Sequence, residues 1–447
     1  ILKMKTKIHL ILLISLLNIF SPKDLFEDYY PEADKILANM TIFEKIGQMF
    51  IGRYSNETAR DQVERYHIGG FCLFANNLVN HTEQELRDEL AQVQSKSKIT
   101  LSYSVDEEGG TVCRVSLYFR DKKFPSPRDS YLKGGIDEIL NIEKEKINLL
   151  RKLNFTINFA PVADISQNQS DYIYDRTLGE NASTSSNYIN AVVDEYVKDE
   201  FCCCLKHFPG YGNNINTHDD DAHDYRTLDY LKQNDLVTFV NAISHEVPMI
   251  MVSHNIVHSI DGGYPASISK KMHDFLRNEY GYTGIIITDD LAMDAITKYA
   301  ENSSAGVLAA LAGNDILLTS FFVKHINQVI KAYEDKEIDE ELINKAARRV
   351  IAWKLKYLYK IEVKPNDDNF NDDSDDTLFI IIGITIGILA IIIIFLIYFY
   401  YIKKNKTNNK TNNKDVTPIE EEIEKNPEER LVRDSTQSER ETQNANQ

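Results

Sequence analysis

Residues 202–212 read Cys-Cys-Cys-Leu-Lys-His-Phe-Pro-Gly-Tyr-Gly. Four apolar residues follow one another without alternation, and a lysine and a histidine arrive just before a Pro-Gly turn. A strand buried on both faces reads this way, because neither face meets water, and parallel sheets are built of such strands. Similar apolar runs occur at 48–52, 68–74, 99–105, 155–162, 249–253, 284–288 and 315–319. Amphipathic stretches lie between them, at 82–95, 136–153, 188–198, 229–244, 269–279, 305–313 and 341–357. The first of these opens on Thr82 with Glu85 three residues on, the signature of a capping box. Strand and helix in alternation predict a parallel α/β fold. Eight strands predict a (β/α)8 TIM-type barrel, with a doubly wound sheet as the alternative.

In a barrel of this kind the chemistry sits at the C-terminal ends of the strands. Charged side chains gather there. Asp106, Glu107 and Glu108 follow the third run, with Arg114 beyond them. Asp164 and then Asp175 and Arg176 follow the fourth, and Lys206 and His207 close the fifth, ahead of a polar loop with His218 and His223. His254 follows the sixth run, and Asp289 and Asp290 the seventh. A single one of these is an ordinary surface charge; their recurrence at equivalent positions marks a site. No Cys-x-x-Cys pair and no Gly-rich phosphate loop is present, and no cofactor is expected. Asp219, Asp220 and Asp221 lack the glycine and distal glutamate of a calcium loop. Carboxylates among Arg and Lys donors suit a polyhydroxyl substrate, and a carboxylate nucleophile with a separate proton donor is the logic of retaining glycoside hydrolysis.

The 447 residues carry 50 Lys+Arg against 68 Asp+Glu, a net charge of −18 that argues against a nucleic-acid partner. A hydrophobic share of 43% is enough for a large core. Five cysteines, with Cys202, Cys203 and Cys204 adjacent, are too few for a disulfide scaffold and read as small buried hydrophobes.

The two ends have a different character. Residues 8–20 are apolar behind Lys3, Lys5 and Lys7, which reads as a signal peptide or N-terminal anchor over 1–22. Residues 378–402 hold no charge and are long enough to cross a bilayer as a helix. An acidic linker (363–377) precedes them, and Lys403, Lys404, Lys406 and Lys410 follow, which predicts a type I single-pass protein with its barrel, 23–362, outside or in a lumen. Sequons at Asn39, Asn56, Asn80, Asn154, Asn168, Asn181 and Asn302 agree with that side. The polar tail, 403–447, reads as a disordered cytoplasmic segment.

The segment from Leu205 to Gly212 resembles the K-H-F-P-G-x-G signature of the glycoside hydrolase family 3 β-N-acetylhexosaminidases. Ile286-Ile287-Thr288-Asp289-Asp290-Leu291-Ala292-Met293 looks like the nucleophile segment of that family. Val105 to Gly110, Asn158 to Val162 and Pro265 to Lys270 also match, in order. The resemblance implies a barrel enzyme that removes terminal β-N-acetylglucosamine with retention and takes a carbohydrate substrate; the apolar segment 378–402 is what predicts that it is held to the lipid bilayer. It implies Asp289 as nucleophile, His218 as the proton donor, and Asp106, Arg114, Arg176, Lys206 and His207 as sugar-binding positions. Asp290 reads as structural, a helix N-cap. The family carries Asp two residues before its catalytic His; here Asn216 stands there, and Asp221 with His223 repeats the Asp-x-His spacing as an alternative dyad. A family-related β-glucosidase and a glycan-binding protein without turnover are the competing readings.

Overall fold

The computed structural model describes residues 24–214, 222–297, 299 and 304–359. The chain divides into two units, Ile1–Val363 and Lys364–Gln447, and every described residue belongs to the first. Among the described residues no helix is long and apolar enough to cross a membrane. The predicted N-terminal segment 1–22, the spanning segment 378–402 and the segments on either side of the latter lie outside the described residues.

Each of the apolar runs supplies one strand: β1 (Phe50–Arg53), β2 (Gly70–Cys72), β3 (Ser102–Val105), β4 (Ile157–Asn158), β5 (Cys202–Phe208), β6 (Met249–Val252), β7 (Ile285–Thr288) and β8 (Leu317–Thr319). Every neighbouring pair from β1 to β7 is parallel, with registers such as Ile51↔Gly70, Ser104↔Ile157 and Met249↔Ile285. β8 pairs with β1 (Phe50↔Leu317), and a bridge from Ile287 to Ile316 joins β7 to β8. The Thr288 hydroxyl accepts the Leu318 N–H at 3.0 Å across the same seam. The sheet therefore closes on itself, which excludes the doubly wound alternative. β4 is shorter than the predicted 155–162, although pairing continues beyond it: the Phe159 N–H donates to the Val105 carbonyl (2.8 Å), the Cys204 N–H to the Ala160 carbonyl (3.0 Å), and a bridge joins Val162 to Lys206.

Helices α1 (Tyr30–Leu37) and α2 (Ile42–Gln48) precede the barrel, and α3 (Ala59–Tyr66) follows β1. α4 (Glu83–Gln94) follows β2, α5 (Pro127–Lys152) β3, and α6 (Ala182–Lys198) β4. α7 (Leu228–Gln233) and α8 (Asp235–Ser244) follow β5, α9 (Lys270–Asp274) β6, α10 (Ala305–Ala312) β7 and α11 (Phe322–Glu334) β8; α12 (Glu340–Tyr357) ends the unit. The capping box forms on α4: the Thr82 hydroxyl accepts the Glu85 N–H (3.2 Å) and the Glu85 carboxylate accepts the Thr82 N–H (2.8 Å). α5 is two helical stretches joined at Gly134–Gly135, whose φ and ψ are not helical; the predicted 136–153 matches the second, and the first, which was not expected, is capped by Ser126 with Pro127 in its first turn. The single helix expected over 229–244 is two. Asn234 breaks it with φ −124° and ψ −87°, and the Asp235 carboxylate beyond the break is held by Arg226 at 2.9 and 2.8 Å.

Period-two alternation sorts the core. Phe71, Val105, Cys203, Leu205, Ile250 and Ile286 pack between sheet and helices. Ile51, Cys72, Cys202, Cys204, Met251, Ile287 and Leu318 fill the barrel. The three adjacent cysteines are thus buried core residues, as expected, and burial pushes their thiols up. α12 packs against α1 and α2 and closes the N-terminal floor with Trp353, whose indole N–H points at Cys202 Sγ at 3.3 Å.

Candidate active site

At the opposite end, the β3 exit holds Asp106-Glu107-Glu108 in a tight turn. Gly109 has φ +98°, and a Cβ there would meet the Pro125 carbonyl at 2.2 Å, so only glycine fits. The fully buried Glu107 carboxylate accepts the N–H groups of Arg114 (2.8 Å) and Val115 (2.6 Å) and the Ser116 hydroxyl. This folds the loop back and brings Arg114 to the cavity, where its Nε is buried and has no hydrogen-bond partner among the described residues.

Glu108 is the hub. Arg176, from the short turn Tyr174–Arg176 after β4, grips it in a fork, Nε to Oε2 at 2.9 Å and Nη2 to Oε1 at 2.8 Å. Lys206, at the end of β5, reaches Glu108 at 2.6 Å and Asp106 at 2.7 Å. Burial pushes the Glu108 carboxyl up, but the Arg176 and Lys206 charges outweigh it and hold the group well below the usual carboxylate range. The Lys206 ammonium is pushed down by burial and raised by Asp106 and Glu108, and the balance is upward. Arg176 behaves alike: burial opposes its charge, Glu108 restores it, and the net shift is upward.

His207 completes the cluster. Its Nδ1 lies 2.7 Å from Asp164 Oδ2 and its Nε2 3.3 Å from Arg176 Nη2. A guanidinium only donates, so Nε2 accepts and the ring proton sits on Nδ1, toward Asp164. Asp164 also accepts the N–H groups of His207 (3.2 Å) and Tyr211 (2.7 Å), which pins the Pro209–Gly212 turn to the site.

At the β7 exit the Asp289 carboxylate accepts the Asp290 N–H at 2.8 Å. Asp290 is structural but does not cap a helix. It accepts Ala292 N–H (3.0 Å) and, across the barrel seam, Ser320 N–H (2.8 Å) and hydroxyl (2.5 Å), because the turn after β7 leaves those donors facing it. His254 receives the Ser267 hydroxyl on Nδ1 (2.7 Å) and donates from Nε2 to the Asp290 carbonyl (3.0 Å), steadying the chain beside Asp289.

Asp106, Glu108, Arg114, Arg176, Lys206, His207, Asp289 and Asp290 line one cavity of about 920 Å³, together with Arg53, Phe74, Tyr172, Asp175 and Phe321. Arg53 lies over the Phe74 ring at 4.5 Å, and Phe321 and Tyr172 are half-exposed at 50% and 41%, so the rim offers flat apolar faces. Among the described residues no group of three His, Cys, Asp or Glu side chains is placed to hold a metal ion.

Compared with known proteins, residues 41–353 match the profile described as the glycosyl hydrolase family 3 N terminal domain. The chain belongs to glycosyl hydrolase family 3. Within the family it is similar to beta-hexosaminidase LpqI of Mycobacterium tuberculosis, 29% identical over 283 residues, covering 62% of this chain and 72% of that protein. It is 28% identical over 325 residues to beta-hexosaminidase A of Pseudoalteromonas piscicida, covering 66% of this chain and 54% of that longer protein. The solved M. tuberculosis LpqI superposes with a TM-score of 0.65 at 27% identity, over 72% of this chain and 96% of that one. A family 3 beta-N-acetylglucosaminidase from Paenibacillus shares the fold, with a TM-score of 0.68 at 24% identity over 76% of this chain and 67% of that one.

Of the family positions expected from the sequence, Asp106, Arg114, Arg176, Lys206, His207 and Asp289 meet in the cavity. His218, Asn216 and Asp221 lie outside the described residues. His223 does not line the cavity; its Nδ1 pairs with His258 Nε2 at 2.9 Å on the surface. Glu108, Asp164 and Arg53 were not singled out as site residues. Glu108 and Asp164 carried a signal, being carboxylates just past β3 and β4, whereas the only signal for Arg53 was its place at the end of β1.

Proposed function

We propose that this family 3 glycoside hydrolase is a retaining exo-β-N-acetylglucosaminidase, anchored to a membrane by residues 378–402. The convergence of Asp289 with Asp106, Arg114, Arg176, Lys206 and His207 in one cavity at the C-terminal mouth carries the reading. Asp106, Arg176 and Lys206 present acceptors and donors to sugar hydroxyls. Lys206 spends two of its three N–H donors on Asp106 and Glu108, which leaves one for a ligand. The Asp289 carboxylate attacks the anomeric carbon as the glycosidic bond breaks, giving a glycosyl-enzyme. His218 protonates the leaving oxygen and then takes the proton of the attacking water. If His218 fills this role, His218→Ala harms substrates with poor leaving groups far more than nitrophenyl ones; the same pattern in His223→Ala assigns the role to the Asp221–His223 pair instead.

Hexosaminidases among the relatives and the exposure of all six sequon asparagines that are described, Asn39, Asn56, Asn80, Asn154, Asn168 and Asn181, support an extracellular or luminal glycan as substrate. The test is release of 4-nitrophenol from the N-acetyl-β-glucosaminide and from the β-glucoside by the detergent-solubilised chain, with the anomer of the first product read by NMR. Turnover of the glucoside alone, or an inverted first product, overturns the reading. Protection of an epitope after Gln447 in sealed vesicles tests the type I orientation, and its exposure reverses it.

A further inference from the structure

Behind the mouth, four side chains that do not line the cavity link the Glu107 backbone to the Glu108 carbonyl. Asn158, at the end of β4, accepts the Glu107 N–H (3.0 Å) and donates to the Glu107 carbonyl (3.2 Å). The same amide donates to the Tyr196 hydroxyl (2.9 Å), and Tyr196, on α6, donates to Glu143 (2.9 Å). Burial and the Glu143 charge push the Tyr196 hydroxyl up, so it keeps its proton and the donor role. Lys146, on α5 beside Glu143, donates to Glu143 (2.7 Å) and to the Glu108 carbonyl (2.7 Å), which completes the link. Asn158, Tyr196, Glu143 and Lys146 are 0%, 0%, 3% and 1% exposed.

An ion pair in such a place is a poor device for stability, since apolar residues of the same volume commonly serve as well or better. What it does here is aim a charged donor at one carbonyl, that of the residue on which both site cations converge. Arg176 and Lys206 hold Glu108 by its side chain, while Lys146 holds its main chain from beneath. We propose that Lys146 and Glu143 are positioning residues, which fix the Glu108 carboxylate where Arg176 and Lys206 meet it and so set the geometry of sugar binding. The inference rests on the reading of that cluster as the sugar site.

The test replaces the charges together, as Glu143→Leu/Lys146→Met/Tyr196→Phe, so that no buried charge is left unpaired. The expected result is a folded protein whose KM for the nitrophenyl N-acetyl-β-glucosaminide rises about tenfold or more while kcat stays within about threefold, since supporting shells act on this scale. Amide exchange at Glu107 to Gly110 quickens by a similar factor. An unchanged KM with unchanged exchange overturns the proposal. If the triple variant does not fold, Tyr196→Phe alone is read in the same two ways, with about a threefold rise in KM expected and none overturning it. A wild-type protein inactive on this substrate defeats the functional reading instead, and amide exchange then still judges the network.

Discussion

Two lysines, one at each end of the barrel, are buried to the same degree and live in opposite electrostatic conditions. Lys206 at the mouth and Lys354 at the floor are 2% and 1% exposed. Lys206 meets two carboxylates, and its pKa is raised. Lys354 meets only the Gln48 side-chain carbonyl (2.8 Å) and the Gly69 carbonyl (2.7 Å), and burial pushes it down to about 7. Burial alone thus does not make a charged site. Fixed carboxylates around the cation do, and the barrel spends them at the mouth, whereas the floor uses its lysine to pin α12 to α2 and to the start of β2.

The contrast is broken if damage at the mouth spares activity. Asp289→Asn is expected to lower kcat by about 10⁴-fold or more while N-acetylglucosamine still binds, because in the proposed mechanism this group forms the glycosyl bond whereas Asp106, Arg114, Arg176 and Lys206 do the binding. Activity within a few-fold of wild type, by nitrophenol release, moves the nucleophile elsewhere. Lys206→Met comes next. It strands Asp106 and leaves Glu108 to Arg176 alone, and removing one partner of a buried pair costs about 3–5 kcal/mol, so a clearly lower thermal midpoint should accompany a loss of activity of at least about 100-fold.

At the floor, Lys354→Met should leave kcat and KM within about twofold and act on stability alone. An unfolded lysine keeps its proton to about pH 10.5 and the folded one releases it near 7. Between these values the unfolded chain binds more protons, so wild-type stability climbs as pH rises through the window, and the fold carries the full burden of a buried ammonium below pH 7. Thermal midpoints at pH 6 and pH 9 should show this slope in the wild type and not in the variant. The smallest effect sharpens the rule. His325 sits near the mouth, but among the described residues its hydrogen-bond partner is the Thr319 hydroxyl (2.9 Å) and no carboxylate, and burial, then Lys324, pushes it down to about 4 from 6.5. The unfolded chain binds the extra proton between those values, so stability falls as pH drops from 6.5 to 4, by about 1–3 kcal/mol. His325→Gln should flatten that limb; an unchanged limb means that place in the barrel, rather than the absence of a carboxylate, decides the charge.

The strands were legible because burial on both faces writes an apolar run, and only the length of β4 was overread, at both its ends. The helices α1, α2, α3 and α11 fall outside the amphipathic stretches read from the sequence: α1, α2 and α3 have only 8, 7 and 8 residues, too few to show a period, and α1 and α2 pack against α12, whereas the 13 residues of α11 carry a clear apolar stripe that the reading passed over. At the site, residues that sit at strand ends were readable from position and family motif. Lys146 was not, nor was the part that Glu108 plays, since what makes them matter is a meeting of Glu108 with Arg176, 68 residues away, and with Lys146, 38 residues away. Lys354 looked like any lysine of an amphipathic helix until the floor closed over it.

One packing detail at that floor reaches further. Lys356 donates to the Leu25 carbonyl at 3.3 Å, and Arg348 grips Asp34 at 2.6 and 2.8 Å, so the first and last elements of the described barrel lie side by side. The described stretch from Asp24 to Tyr359 then comes back nearly to its own start, as the sheet does. A short linker from Tyr359 to Asp24, with new ends opened in the exposed turn near Ser97, would permute the chain without cutting a strand or touching the mouth. The order in which the eight units are synthesised is, for this barrel, close to a free choice.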